Sequence, residues 1–285
     1  MPYVVHGASG AQGGPLLTRL LSNGTAAVGA VRNPGQLKGK PVIAVDNASV
    51  DSLTVAYHEV DGVFAHLPAA PEPVRRQYAQ NIVAAIKAAR PKRVVASTSG
   101  AIIDMAGSPL QASDDSAIMI LVNGIRDSGI SHSIVAPRLY LENLLLPPIF
   151  EAAKADGTLS YPIRANFPVS WCSHLDVAEA AQKLLTDHSV SGIVGVGHLP
   201  GLGGEDLATG FAEEFGRGVA FQSLAPDSFG KLIEPMFGPA AANVVGLYKA
   251  LWEAPANVIR NETSAQSVLG LMPRSVRQWL AETLG

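Results

Sequence analysis

Short apolar, β-branched runs alternate with stretches of helical periodicity through the first half of the chain. The runs predict strands at Tyr3–Gly7, Ala26–Val31, Pro41–Val45, Gly62–Leu67, Arg93–Ser97 and His132–Pro137. Between them, helices are predicted over Gly13–Leu21, Val50–Val60 and Pro73–Ala89. In the last of these, Val74, Tyr78, Ile82 and Ile86 recur at i+4 and share one face. Pro91 ends that helix and resets the chain for the next strand. Asp114–Ser128 is also helical but almost continuously apolar from Ala117 to Val122. It reads first as a helix buried on two sides and second as a subunit interface, which leaves room for a homodimer. Strand and helix in alternation predict an α/β fold, a doubly wound parallel sheet covered by helices.

After Pro147 the alternation breaks down. Leu159–Cys172 is mixed and aromatic, and Asp176 is expected to N-cap a helix running to about Leu185. A strand at Gly192–Val196 follows, then helices at Glu205–Phe215, Asp227–Phe237, Ala240–Trp252 and Ser275–Leu284. Phe229, Leu232, Ile233, Met236 and Phe237 make one apolar stripe; Val244, Tyr248, Leu251 and Trp252 make another. The expected division is a main domain over residues 1–146 and a smaller α/β cap over 147–285 that completes the sheet in part.

Composition narrows the class. With 285 residues, 47% hydrophobic and 16% charged, there is apolar material for one large core or a main domain with an appendage. A net charge of −3 gives no general electrostatic case for nucleic acid or an anionic membrane. No run approaches the roughly 20 apolar residues of a membrane-spanning helix, and no basic-then-apolar leader precedes Tyr3. Cys172 stands alone, so intramolecular disulfides and a cysteine zinc site are excluded; it reads as a small core residue. A cytoplasmic protein is the expectation.

The candidate chemistry starts at Gly7-Ala8-Ser9-Gly10-Ala11-Gln12-Gly13, directly after a strand and before a helix. A dinucleotide site uses glycine here for a tight turn, for close approach of backbone to pyrophosphate, and for close helix–strand packing. The helix N-terminus then offers free N–H groups and partial positive charge to the phosphates. In this Rossmann-type context a plain glycine turn is a poor competitor. At the end of the second strand stands Arg32, where sites for NAD usually carry an acidic residue that binds the ribose 2′-hydroxyl. An arginine suits a 2′-phosphate instead, with Lys38 or Lys40 adding charge, so the cofactor is expected to be NADP(H).

With these motifs the chain resembles the NmrA-like family, an atypical short-chain dehydrogenase/reductase group that includes nitrogen-metabolite regulators and NADPH-dependent quinone and dye reductases. Besides the glycine turn through Gly14, the resemblance rests on Ala30-Val31-Arg32-Asn33-Pro34 and on Asp46 with Asp51-Ser52-Leu53. It continues in Val94–Ser99, Asp127–Ile130 and Pro137–Asn143, densely to about Leu146 and thinly afterwards. It implies that Gly7, Ser9, Gly10, Ala11 and Gln12 contact the pyrophosphate and Arg32 the 2′-phosphate. Asp46 and Asn47 would lie by the adenine, Leu67 and Pro68 by the ribose, and Pro137 with Tyr140 by the nicotinamide. Gly13, as the packing glycine, and Ser97, at the fifth strand's end, complete the expected cofactor set.

One expected pair is missing. Short-chain reductases usually carry Tyr-x-x-x-Lys on the helix after the fifth strand, where the lysine makes the tyrosine a better acid. Gly100–Gly129 contains neither residue type. A ketone–alcohol dehydrogenase or sugar-nucleotide epimerase is therefore not expected. The remaining proton-donor candidates are Ser97, Thr98, Ser99, Tyr140, His66 and His174; Tyr140 and Ser97 are the catalytic candidates, neither expected to be an indispensable acid. Each has a plain structural reading as well, and for the histidines that reading is preferred. No histidine spacing fits a metal. Hydride addition to a quinone or another electron-poor, conjugated acceptor makes a weakly basic anion, nearer a phenolate with pKa about 10 than an alkoxide. A reductase of flat, apolar aromatic or conjugated substrates is thus expected, with Tyr140, Phe237, Tyr248 and Trp252 lining the acceptor's site. The alternative is a non-catalytic NADP(H)-binding regulator that senses redox state and acts through protein partners.

Overall fold

The computed structural model describes residues 1–285, the Gln36 side chain excepted. The first half runs β1 (Tyr3–His6), α1 (Gly13–Ser22), β2 (Ala27–Val31), β3 (Val42–Ala44), α2 (Val50–Tyr57) and β4 (Gly62–Ala65). It continues with α3 (Glu72–Ala89), β5 (Val94–Ser97), α4 (Ala117–Arg126) and β6 (His132–Pro137). Beyond it lie β7 (Leu139–Tyr140), α5 (Pro147–Asp156), β8 (Thr158–Tyr161), β9 (Trp171–Cys172), α6 (His174–Thr186) and β10 (Gly192–Val196). The chain ends with α7 (Gly204–Phe215), β11 (Ala220–Ser223), α8 (Pro226–Phe237), α9 (Ala241–Glu253), α10 (Ala265–Leu269) and α11 (Val276–Leu284).

Seven strands form one parallel sheet in the order β10-β6-β5-β4-β1-β2-β3. Alternation within each strand divides its side chains between two cores. Val4, Ala30 and Val63 pack under α2, α3 and α4, whereas Val5, Val31 and Phe64 pack under α1 and α6. This is the Rossmann-type, doubly wound α/β fold. The strand Gly192–Val196 joins it at the edge beside β6, in register from Gly192↔Ser133 to Val196↔Pro137. Two small parallel pairs, β11-β8 and β7-β9, stand outside the sheet.

A third core fills the C-terminal half around Tyr161, Phe167, Trp171, Phe211, Phe229 and Trp279. One expected detail changes there. Asp176 does not N-cap α6; Ser173 does. Ser173 Oγ accepts from Asp176 N–H at 3.0 Å and Asp176 Oδ2 accepts from Ser173 N–H at 2.8 Å, a reciprocal capping box that starts the helix at His174. The stripe on α8 is also only partly interior. Phe229 and Ile233 are buried, but Leu232, Met236 and Phe237 are about two-fifths exposed, at 36, 44 and 41%. The helix packs on one side only, with Gly230 against Val245 of α9. On α3 the buried face likewise begins after Val74, which is exposed. On α4 Ile118, Leu121 and Val122 are buried, while Met119 and Ile120 are half-buried.

Candidate functional site

The carboxyl ends of the parallel strands carry two adjoining hollows, as open α/β sheets dictate. After β1 the chain turns sharply at Gly7, whose φ of +62° is left-handed, and Gly10 N–H donates to Gly7 O at 2.8 Å to close the turn. Gly13 then begins α1 packed against β1. A Cβ there would lie 2.3 Å from His6 O and 2.5 Å from Gly7 O, so only glycine lets helix and strand approach this closely. The exposed Ser9, Gly10 and Ala11 are left to form the floor of a cavity of about 650 Å³.

That cavity brings together Gly7, Ser9, Gly10, Ala11, Gln12, Arg32, Asn47 and Pro68 of the expected cofactor set, with His6, Val31, Asn33, Val45 and His66. Arg32 is exposed at its rim, just past β2. Asn47 is held from behind, where Asn81 Nδ2 donates to its carbonyl at 2.9 Å, and its own Oδ1 is buried without a partner. Asp46 lies off the wall, its carboxylate accepting from Ala48 N–H at 2.8 Å to shape the turn. Gly13 and Leu67 are buried behind the lining, and Ser97 and Pro137 are buried at the ends of β5 and β6.

The fit to a dinucleotide is good. The floor carries nothing larger than serine and alanine side chains, it leads into the N-terminus of α1, and the Arg32 cation stands at the rim. The histidines in the wall are neutral. Burial pushes both His6 and His66 down to about 4, helped at His66 by the Arg75 charge. The His6 ring is held by the Tyr57 hydroxyl at 2.6 Å.

The second hollow is a cleft of about 380 Å³. Ser99, Gly100, Ala101, Arg138 and Tyr140 form its inner wall; Phe229, Ile233, Phe237, Val244, Leu247 and Tyr248 of α8 and α9 form its outer one. Of the expected substrate residues, Tyr140, Phe237 and Tyr248 line it. Trp252 does not: it is half-buried near the end of α9, outside the lining. Arg138 is fully buried and its Nη2 forks onto both oxygens of Asp104 at 2.7 and 2.9 Å. Tyr161, which sequence pattern alone did not single out, shares a short hydrogen bond between hydroxyls with Tyr248 at the base of the cleft. It lies in the stretch whose periodicity was too mixed to read.

Hydrogen bonds join the two hollows. Gln12 Nε2 donates to Tyr140 Oη at 3.1 Å, Ser97 Oγ donates to Gln12 Oε1 at 2.6 Å, and Ser99 N–H donates to Ser97 Oγ at 3.1 Å. The Tyr140 ring rests on His174, with centroids 4.4 Å apart. Burial pushes the Tyr140 hydroxyl well above its usual value and His174 down to about 4. Among the described residues no group of His, Cys, Asp and Glu could hold a metal ion. No helix among them is long and apolar enough to cross a membrane.

Residues 3–254 match the NmrA-like family. No curated protein gives a significant match. Among solved structures, triphenylmethane reductase from Citrobacter sp. superposes with a TM-score of 0.82 at 18% identity, over 100% of both chains. An NADPH-dependent quinone oxidoreductase from Escherichia coli, complexed with NADPH, gives 0.74 at 19% identity over 99% of this chain and 100% of that one. A nucleoside-diphosphate-sugar epimerase from Staphylococcus aureus gives 0.77 at 17%, over 98 and 99%.

Proposed function

The chain belongs to the NmrA-like family, and from that premise we propose that it is an NADPH-dependent reductase of flat, electron-poor acceptors such as quinones. The observation that carries this reading is the junction of the two hollows. Gln12 lines the glycine-floored cavity, Tyr140 lines the apolar cleft, and the two side chains touch. A dinucleotide in the first and an acceptor in the second would meet there. The likeness to solved quinone and dye reductases supports the same assignment.

The backbone from Gly7 to Gln12 and the start of α1 would hold the pyrophosphate, Arg32 the 2′-phosphate, and Asn47 and Pro68 the adenosine side. Bound NADPH supplies a hydride. The protein's own part is chiefly orientation: it lays a flat acceptor against the junction between the walls of Tyr140 and of α8 and α9, and keeps bulk water out. Tyr140 is the cleft hydroxyl that also touches the cofactor cavity, through Gln12. The α4 helix, with Ile118 and Leu121 buried in its own core, takes no part.

NADPH oxidation measured against quinones, enones, cationic dyes and simple aliphatic ketones tests the reading. Quinones and cationic dyes should be reduced fastest and aliphatic ketones slowest, with NADPH preferred to NADH. Arg32→Glu should reverse or abolish that cofactor preference. Tight NADPH binding without turnover of any acceptor would overturn the reductase reading in favour of a redox-sensing regulator.

A further inference from the structure

Gln12 stands between the two hollows, and its amide serves neither of the roles its position suggests. It precedes α1, yet its side chain caps no N–H of that helix. It lines the cofactor cavity, yet both ends of its amide are engaged by Ser97 of β5 and Tyr140 of β7.

These links run one way. Ser97 Oγ accepts from the backbone N–H of Ser99, and its 2.6 Å separation from Gln12 is the length of an O–H···O bond, shorter than N–H···O bonds run, so it sends its own proton to Gln12 Oε1. That choice fixes which end of the amide faces Tyr140: the NH₂ group, donating to Oη. Tyr140 has accepted from Gln12, so its own O–H remains to donate, from a side chain that lines the cleft. Gln12 is 6% exposed and Ser97 1%, so water competes little for any of these links.

We propose that Gln12 is the positioning residue that makes Tyr140 a one-way proton donor to quinone-type acceptors, which are protonated at oxygen as they take hydride. The proposal rests on the reductase reading. In the step it serves, the acceptor gains one hydride, supplied by the bound dinucleotide. It gains one proton as well, which leaves Tyr140 Oη for the acceptor's oxygen. The O–H bond of Tyr140 breaks, an O–H bond forms on the product, and water later reprotonates the tyrosinate. Burial alone makes Tyr140 a reluctant acid. Hydrogen bonds oppose that: Ser97 acts on the hydroxyl in the lowering direction, and the Gln12 N–H that donates to Oη strengthens as charge appears there.

The test exploits a difference between acceptors. A 1,4-naphthoquinone needs both hydride and proton, whereas a cationic triphenylmethane dye becomes neutral on taking hydride alone. Gln12→Met keeps length and bulk but cannot donate. At saturating NADPH it should lower kcat for the naphthoquinone by about 10- to 100-fold, inside the range of general acid catalysis. Its effect on the dye should be several-fold smaller. Tyr140→Phe should show the same bias, and the double variant should be little worse than either single one. Ser97→Ala, which removes the partner that orients Gln12 and also acts on Tyr140, and which lies off both cavity walls, should show the same bias and serves if Gln12→Met binds NADPH poorly. Equal slowing on both acceptors, an unchanged quinone rate, or additive effects in the double variant would overturn the inference while leaving the reductase reading intact. Reduction of neither acceptor by the native protein would overturn both.

Discussion

At the scale of single residues, three glycines close together in sequence do different work. Gly7 supplies a left-handed φ of +62°. Gly13 supplies closeness, since a Cβ would strike the carbonyl oxygens of His6 and Gly7 at 2.3 and 2.5 Å. Gly10 is exposed, and a Cβ there would find only Gly7 O, at 3.3 Å. The two kinds should therefore fail differently. Gly10→Val should fold with near-native stability and lose most of its NADPH affinity, because the added bulk projects into the cavity where backbone must approach phosphate. Gly13→Ala should lose stability as well, by about 1–3 kcal/mol, the usual cost of forcing a methyl group into a packed contact. Urea unfolding beside NADPH titration separates the two. A Gly10→Val protein that folds and binds normally would remove the turn from the cofactor's site.

At the scale of elements, the strands and helices up to β6 were legible because each is long enough to show its period. The sheet's seventh strand, β10, was legible as a strand for the same reason. What sequence pattern could not show were the pairs that need a partner to exist. The two residues of β7 and of β9 have no period, and β11 is largely exposed. Burial in the cap was not legible for a related reason: apolar residues on α8 identify a stripe, but only the neighbouring α9 decides how much of it is covered. Much of the site was legible through the glycine turn and Arg32. The link from Gln12 to Tyr140 was not, because it crosses from residue 12 to residue 140 and no local pattern records it. The start of α6 is instructive in another way. Ser173-His174-Leu175-Asp176 is the capping-box pattern itself, visible once Asp176 is read as its third helical residue. Asp176 does more than cap, for its Oδ1 also accepts from Arg274 N–H at 3.1 Å and Arg274 Nη1 at 2.8 Å, tying the segment before α11 to α6. Ser173→Ala should cost about 1 kcal/mol, as lost caps do. Asp176→Ala should cost more, about 3 kcal/mol, because it also leaves a half-buried arginine short of its most buried partner. Arg274 keeps Glu179 and Glu282, which limits the loss. Denaturant unfolding that ranked the two variants in the opposite order would show that the tie to Arg274 contributes little.

At the scale of the whole molecule, three neutral imidazoles gather where sheet, cap and both hollows meet. His6 ends β1 against Tyr57 of α2; His66 follows β4 within reach of the Arg75 charge; His174 opens α6 beneath Tyr140. Burial pushes each from its ordinary 6.5 down to about 4, and His66 lowers the other two further. Glu142 lies 3.6 Å from His174 but does not hold a proton on it; burial pushes the Glu142 carboxyl up instead. On unfolding, each histidine regains its ordinary value, so between about pH 6.5 and pH 4 the unfolded chain binds protons that the folded one refuses. Stability contributed by these groups is complete above pH 6.5 and is lost as pH falls through that window, by up to about 1.4 kcal/mol per pH unit for each histidine. Glu142 acts in the opposite sense, since its folded form takes a proton first, and so offsets part of the loss. Urea unfolding between pH 7 and pH 5 should therefore show a fall of a few kcal/mol, and His66→Asn should make the slope shallower. NADPH should make it shallower too, because a phosphate anion bound in the cavity that His66 lines would favour the protonated ring and give the folded state a proton it otherwise declines. Calorimetry in buffers of different ionisation heat would register that proton as uptake on binding near pH 5.5. A stability that stays flat across the window, with no uptake on binding, would mean that the three rings are hydrated in the folded protein and that the junction between the hollows is open to water.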